Sequence, residues 1–432
     1  MPHHGLLKEG HLMNTSVIKP AKFLLPEEKI NMKKWAVVAC DQFTSDYDYW
    51  ENVRRFVGNA PSTLNMILPE IYLNEPDCSE RIALAKETME QYVSEGVLEE
   101  TPEGFMLIER QIGGAVRKGV LAAIDLEEYS FKEEEKPSVR ATEKTILERI
   151  PPRVAIREDA LLELPHVLIL IDDPENNVIG SLLRKKAELT AMYDFDLMEN
   201  GGHIKGKLID GNDNIAKKID EALANLESEN VFAEKYGISG RKPLPYAVGD
   251  GNHSLATAKT CWEEIKKTDP ESPARYALVE IVNLHDESLE FEAIHRNVFE
   301  VSPEKMLSEL EEYFDCKPQN IPFEKTDGRQ YFTFLTDKKD YYFEIKNPTK
   351  NLAVGTVQEF IDSRNYGKTD YIHGEDVVRK NLSETTVGFL FDTMEKEELF
   401  PTVIKDGALP RKTFSMGHAH DKRFYLEARK IK

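Results

Sequence analysis

The sequence is poor in cysteine and has no long apolar run. Four cysteines are spread over 432 residues, and no two of them form a C-x-x-C pair. This spacing provides neither a disulfide framework nor a zinc ribbon, and it favours a reducing compartment. No stretch approaches the roughly 18 consecutive apolar residues of a membrane-spanning helix, and the N-terminus has no apolar segment of the signal-peptide kind. We therefore expect a cytoplasmic protein with no membrane partner.

Basic residues are also comparatively few. Lys and Arg number 56 against 77 Asp and Glu, so the formal net charge is −21. A nucleic-acid backbone is bound by clustered Lys and Arg, so this balance argues against a nucleic-acid partner. A local pocket can nevertheless be cationic inside an acidic protein. We predict a small anionic metabolite as the partner, and the sequence leaves a homodimer open.

Short apolar runs alternate with amphipathic segments along most of the chain. The runs at 35–40 and 166–171 are typical of buried strands, and each ends in carboxylates. This alternation predicts an α/β (or α+β) fold, with a mixed sheet and covering helices. The pattern changes near residue 300, which predicts three parts. They are a disordered leader over 1–12, a main α/β domain carrying a phosphate site over 13–300, and a smaller C-terminal α+β portion over 301–432 that contributes a loop to the site.

The most informative segment joins a predicted strand to a predicted helix and reads Asp250-Gly251-Asn252-His253-Ser254. Glycine permits positive φ and close approach of the backbone to a ligand, and the amides of a helix start favour anions. Asp250 is suited to bind Mg²⁺ or accept a proton, and His253 to donate to phosphate. The alternative is an ordinary strand-to-helix turn in which Asn252 or Ser254 is the N-cap. The segment is neither a Walker loop nor a dinucleotide fingerprint.

Two basic clusters stand out in this acidic chain. The first cluster consists of Arg140, Lys144, Arg149, Arg153 and Arg157, with Glu143 among them. Composition alone favours a solvated face for such a run. The second is the loop Pro410-Arg411-Lys412-Thr413. His418 and His420 follow it, but with no third ligand in view they do not predict a metal site.

These motifs together resemble the domain of unknown function 1015 family, from about Lys19 to the C-terminus. The Asp-Gly-His-His-Arg turn of that family is matched by the segment that begins at Asp250. Its Arg-x-x-Glu is matched by Arg140 and Glu143, and a later basic position by Arg157.

Two further elements complete the resemblance. The family's Thr-His-Arg element is matched by Ile294-His295-Arg296, and its C-terminal Pro-x-Lys-Ser/Thr loop ends here at Lys412 and Thr413. Each motif is weak alone, but four in the same order along one chain form a fairly specific signal.

The resemblance implies a fold and a chemistry. The family's turn is similar to that of the ParB/sulfiredoxin superfamily, whose members bind nucleotide phosphates or move phosphoryl groups, some of them to free L-serine. By resemblance, Asp250 and His253 lie beside the transferred phosphoryl group. This chain has Asn252 where the family has its first His, and Ser254 where it has Arg. Arg140, Arg296 or Lys412 is then expected to replace the missing cation.

The leading hypothesis is a small-molecule phosphotransferase, such as a free L-serine kinase that uses pyrophosphate or a nucleotide with Mg²⁺. Asp250 and Asp41 are the predicted Mg²⁺ ligands, and Asp250, His253 and Glu143 the predicted catalytic residues, with Glu143 or Asp250 as the base. The residues predicted to bind phosphate or substrate are Gly251, Asn252, Ser254, Arg140, Arg157, His295, Arg296, Lys412 and Thr413.

Two other classes of function remain open. One is a non-catalytic, ParB-like regulatory protein that binds a nucleotide and signals by shape. The other is a sulfiredoxin-like redox enzyme, which needs a reactive thiol beside the turn. Cys261 lies about two turns into the predicted helix, on its apolar face, and is poorly placed for that chemistry.

Overall fold

The computed structural model describes residues 16–132, 134–364, 366–417 and 421–432. The predicted leader and the pair His418 and His420 lie outside the described residues. Within the described ranges, none of the helices has the length and apolar character that crossing a membrane demands.

The described chain contains twelve α-helices. They are α1 (Met32–Trp35), α2 (Tyr47–Val57), α3 (Cys78–Ser94), α4 (Ile150–Arg157), α5 (Asn177–Lys185), α6 (Asn214–Leu226), α7 (Glu229–Tyr236), α8 (Asn252–Ile265), α9 (Pro303–Tyr313), α10 (Ala353–Arg364), α11 (Glu375–Lys380) and α12 (Leu399–Asp406). The helical periodicity of the sequence over 214–227 and 303–314 predicts two helices there, and α6 and α9 confirm them with ends that differ by one residue.

The strands are numbered in chain order. They are β1 (Ile18–Lys19), β2 (Leu24–Pro26), β3 (Val37–Val38), β4 (Leu98–Glu100), β5 (Gly104–Ile112), β6 (Ala115–Asp125), β7 (Tyr129–Ser130), β8 (Val139–Ala141), β9 (Leu162–Glu163), β10 (Leu168–Ile171), β11 (Thr190–Asp196), β12 (His203–Asp210), β13 (Tyr246–Asp250), β14 (Tyr276–Asn283), β15 (Phe291–Phe299), β16 (Gln330–Leu335), β17 (Asp340–Ile345), β18 (Thr369–His373), β19 (Thr386–Leu390), β20 (Phe414–Met416), β21 (Phe424–Tyr425) and β22 (Arg429–Lys430).

The largest sheet has ten strands in the order β11-β12-β5-β6-β14-β10-β13-β8-β7, with β1 paired to β6. It is mixed, because β10 runs parallel to β14 but antiparallel to β13, and β13 runs parallel to β8. Helices α6 and α8 bury apolar faces in the same core as this sheet. The predicted fold class, a mixed sheet with covering helices, is confirmed.

A second sheet, in the order β17-β16-β19-β15-β18 with β20 against β15, packs on a second hydrophobic core, which also contains Leu170 of β10, Ala247 of β13 and Val282 of β14. It begins with β15, a little before the predicted boundary at residue 300. The chain then returns to its first part, because β21 pairs with β3 and β22 pairs with β9.

One local prediction was wrong. The run at 35–40 is not one strand, because Asn31 caps α1 by accepting from the amides of Lys33 and Lys34, and only β3 follows. The pair Pro151-Pro152 forbids a continuous helix, and α4 accordingly begins at this pair, in the first turn, where no intrahelical N–H donor is required.

Candidate functional site

The turn at Asp250 connects the end of β13 to the start of α8. Gly251 has φ +78°, and an added Cβ would lie 3.0 Å from the Cα atom of Val167, so both the conformation and the space favour glycine. The N-cap residue is Gly251, which has no side chain that could accept from the first turn of α8. The first amides of a helix have no intrahelical acceptor, so those of α8 suit an anion site.

A cleft of about 660 Å³ lies in front of this turn. Its lining comes from segments that are far apart in sequence, including both basic clusters. In the described part of the chain, the charged side chains that line it are Lys144, Arg149, Arg153, Arg411, Lys412 and Lys422, together with Asp41, Glu70, Glu143, Glu148 and Asp250. Cations slightly outnumber carboxylates here, although the whole chain has a net charge of −21.

Only part of the first basic cluster therefore lines the cleft. Lys144, Arg149 and Arg153 line the cleft, and Lys144 and Arg149 are exposed there, so this part of the run is a solvated face that borders the site. Arg153 also forms an ion pair with Glu70 across the cleft wall.

Asp250 lies deep in the cleft and is held by a cation. Its Oδ2 atom is 3.1 Å from Nζ of Lys422, and its Oδ1 atom accepts the N–H of Gly251 at 2.9 Å. Burial alone raises the pKa of this carboxyl, but Lys422 and His166 outweigh burial and bring the pKa below its ordinary value. Asp250 is therefore a poor proton acceptor near neutral pH.

The predicted Mg²⁺ ligands do not form a metal centre. Both oxygens of Asp250 are engaged as described, and Oδ1 of Asp41 accepts from Nε2 of Gln42 at 2.9 Å. Among the described residues, no group of three or more His, Cys, Asp or Glu is placed to hold a metal ion. The residues do not fit a Mg²⁺ ion held by protein ligands alone.

His253 is a neutral side chain in the cleft. Its Nε2 atom accepts the backbone N–H of Ile146 at 3.2 Å, which leaves Nδ1 to carry the ring proton. Burial, together with Arg153 and Arg149, lowers the pKa of His253 to about 4. The imidazole is thus suited to donate a hydrogen bond from Nδ1 rather than to act as a cation.

Ser254 belongs to a hydrogen-bonded chain that reaches β21. Its Oγ atom is 3.0 Å from Nε2 of His166, and Nδ1 of the same ring is 2.8 Å from the hydroxyl of Tyr425. That hydroxyl donates to Sγ of Cys40 at 3.0 Å. Sequence reasoning missed His166, Tyr425 and Lys422, since their only signal is a polar side chain beside a short apolar run.

Glu143 and Arg296 hold the loop that carries the second basic cluster. The carboxylate of Glu143 accepts the backbone N–H groups of Lys412 and Thr413. Arg296, fully buried, donates from Nη1 to the carbonyl of Lys412 at 3.0 Å and from Nη2 to that of Arg411 at 3.3 Å. These contacts clamp the loop from both sides. They hold Lys412 at φ +56°, a conformation that costs a non-glycine residue about 1–2 kcal/mol.

Several residues predicted to bind phosphate are engaged elsewhere. Nε of Arg140 donates to the carbonyl of Pro137 at 3.1 Å, and Nη2 of Arg157 is 2.6 Å from Oε2 of Glu163. Nδ1 of His295 accepts the N–H of Phe391 at 3.3 Å. Arg140, Arg157 and His295 do not line the cleft.

Arg296 and Thr413 also lie outside the lining of the cleft and contribute to it through the clamped loop. The hydroxyl of Thr413 donates to the carbonyl of Pro410 at 2.8 Å. Of the cations expected to replace the family's arginine, only Lys412 reaches the cleft. Gly251, Asn252, His253 and Ser254 line it as well.

Residues 18–364 match the model of the family described as Protein of unknown function (DUF1015), so the chain belongs to that family, as its motifs predicted. No curated protein matches the chain.

Among solved structures, a free serine kinase in complex with AMP is 10% identical, with 72% of this chain and 92% of that chain covered and a TM-score of 0.37. SbnI with a C-terminal truncation, from Staphylococcus aureus, is 10% identical, with 69% and 82% covered and a TM-score of 0.36. A conserved hypothetical protein from Pyrococcus furiosus is 11% identical, with 72% and 95% covered and a TM-score of 0.35. These likenesses are distant, so function has to be inferred from the cleft itself.

Proposed function

We propose that this chain is a small-molecule phosphotransferase whose cleft at Asp250 binds the phosphate groups of its donor. The observation that carries the proposal is the combination of an uncapped helix start with six Lys and Arg side chains, in a chain of net charge −21. Phosphoryl transfer depends mainly on positioning and on cations around the non-bridging oxygens. The donor is pyrophosphate or a nucleotide, and the acceptor that the family resemblance implies is L-serine.

The pKa directions favour Glu143 over Asp250 as the base. Burial raises the pKa of Glu143, and the charge of Asp250 adds to this effect, although Lys412 opposes it. A carboxylate with a raised pKa is the better acceptor for a hydroxyl proton. In the proposed step, the acceptor oxygen bonds to phosphorus and its proton moves to Glu143. The bond from phosphorus to the donor oxygen breaks, and the leaving phosphate keeps that electron pair.

The second candidate is a regulatory protein that binds a nucleotide without turnover. The pairing of Asp250 with Lys422 favours it, because that carboxylate is then neither a strong base nor a readily accessible metal ligand. Thiol chemistry of the sulfiredoxin kind has little support. Burial raises the pKa of Cys40 to about 12 and also raises that of Cys261, so both thiols stay protonated.

The test is incubation with L-serine and each of pyrophosphate, ADP and ATP, with Mg²⁺ or with EDTA, followed by mass spectrometry for phosphoserine. We expect turnover with at least one donor, and a loss of at least about 100-fold in Glu143→Gln, the range for a general base. Glu158→Gln is the matched control, since Glu158 is exposed and lies outside the cleft. Nucleotide binding by calorimetry without turnover would favour the regulatory protein. Absence of both binding and turnover would refute a phosphate site.

A further inference from the structure

A second cavity, here called the chamber, lies against the inner wall of the cleft and encloses about 140 Å³. Glu70, Leu73, Arg153 and Ser254 line both spaces, so the chamber and the cleft meet at these side chains. Most of the chamber wall is apolar. Six of the side chains that form it are Met66, Leu68, Met89, Ile156, Leu164 and Leu278.

The charged groups at the chamber wall are paired with each other. Arg157 is 2.6 Å from Glu163, whose other oxygen accepts from Nε of Arg429 at 2.7 Å. Arg153 and Glu70 form the ion pair already described. Because these charges compensate each other, the chamber does not require a polar atom from a ligand. A hydrocarbon group therefore enters it at the lowest desolvation cost.

Polar side chains lie where the chamber meets the cleft. His166 bonds to Ser254 there, and Tyr425 bonds to the same ring from the other side. A ligand that fills the chamber with hydrocarbon would therefore present its opposite end to Ser254 and the start of α8. The size of the chamber is close to that of a dry cavity of about 150 Å³ that holds benzene.

We infer that the chamber binds the hydrocarbon part of a ligand whose phosphate or hydroxyl end lies in the cleft. This inference rests on the proposed phosphate-binding function and specifies its substrate class. The ligand is a phosphorylated or hydroxyl-bearing metabolite with a short alkyl chain or a single ring. L-serine, the acceptor that the family resemblance implies, is compact and polar and leaves this space unfilled, so an acceptor that carries hydrocarbon replaces it.

The test is calorimetry of the full chain with inorganic phosphate and with methyl, ethyl, propyl, butyl and octyl phosphate. Burial of one methylene contributes about 0.8 kcal/mol, or about fourfold in affinity. We expect affinity to rise about fourfold for each added carbon up to butyl phosphate, and to gain nothing further at octyl phosphate because the chamber is then full.

Two variants change the chamber in opposite directions. Ala258→Leu fills it from α8, where Ala258 lines the wall and is 2% exposed. It should abolish the dependence on chain length while inorganic phosphate binds as before. Leu164→Ala enlarges the chamber at a half-buried position and should move the optimum to a longer chain. Ala222→Leu, on α6 and outside both cavities, is the matched control.

The outcomes separate this inference from the proposed function. If all alkyl phosphates bind with equal affinity and inorganic phosphate still binds, the inference that the chamber binds hydrocarbon is wrong, whereas the phosphate site is still supported. Retention of the chain-length dependence in both variants overturns it as well. Benzene carries no phosphate, so its binding tests the chamber independently of the phosphate site. If phosphate does not bind but benzene raises the Tm of the wild type and not of Ala258→Leu, the chamber stands and the phosphate site fails.

Discussion

Replacement of Arg296 by methionine tests the clamp on the cationic loop. The guanidinium is fully buried and donates to Oε1 of Gln358 at 2.9 Å and to four backbone carbonyls. Two of those carbonyls belong to Arg411 and Lys412, on the loop that lines the cleft. Methionine fills a similar volume but donates no hydrogen bond, so these acceptors lose their partner.

The magnitude follows from the acceptors that are left without a donor. A buried polar group that loses its only partner costs about 1–3 kcal/mol. The two buried bonds, to Oε1 of Gln358 and to the carbonyl of Ile294, alone give about 2–6 kcal/mol. Removal of the desolvated charge of Arg296 offsets part of this, since burial lowers the pKa of that guanidinium to about 10. We expect a net loss of about 2–4 kcal/mol in the free energy of unfolding.

The assay is urea unfolding followed by calorimetry with inorganic phosphate. Arg379→Met is the matched control, because Arg379 pairs with Asp340 and Glu375 at the surface, where such pairs contribute less than about 1 kcal/mol. We also expect weaker phosphate binding in Arg296→Met only, since Lys412 is no longer held at positive φ. An Arg296→Met protein within about 1 kcal/mol of wild type, with unchanged phosphate affinity, would refute the clamp.

Three further predictions concern the cleft and two cysteines outside it. Lys422→Met should raise the pKa of Asp250 and weaken phosphate binding about tenfold, as measured by calorimetry, because one charge-assisted contact is lost. The folded pKa of His253 is about 4, below the roughly 6.5 of an unfolded histidine, so the unfolded state takes up the proton first as the pH falls. Stability in urea should therefore decrease from about pH 6.5 to about pH 4, and His253→Gln should lack this part of the slope. Iodoacetamide should label Cys40 and Cys261 slowly in the folded chain and rapidly in urea, as read by mass spectrometry, because both thiols have raised pKa values.

The turn at Asp250 was predictable because its determinants are local. Apolar residues end at a glycine pair, and helix formers follow at once, so β13 and α8 are specified within about twenty residues. The positive φ of Gly251 is likewise a local requirement. Periodicity also located the larger helices and about half of the strands of each sheet, which was enough for the fold class, but it missed β11 and β12.

The partners of the turn could not be predicted, because they come from distant parts of the chain. Lys422 reaches Asp250 across more than 170 positions, and His166 reaches Ser254 across 88. Such contacts depend on the order of strands in the large sheet and on the return of β21 to β3. Neither strand order nor that return leaves a periodic signal in the sequence.

The errors over Arg140 and Arg296 have a different cause. Both match family motifs, but a motif does not specify which face of a strand its side chain occupies. Arg140 lies between the buried residues Val139 and Ala141 on β8 and turns to the carbonyl of Pro137. Arg296 is drawn into the core by backbone carbonyls. A cation in a motif can thus serve the site by shaping a loop rather than by touching the ligand.

The acidity of the whole chain is compatible with an anionic ligand for a physical reason. Charges farther from the cleft than about 8 Å are largely screened at physiological ionic strength, so the net charge of −21 contributes little at the start of α8. The local excess of Lys and Arg then decides the sign of the potential, and the cleft wall reduces screening within it. It follows that salt should weaken phosphate binding through the local cations. At low ionic strength, where charges are less screened and act over longer distances, the acidic surface should slow the approach of the anion.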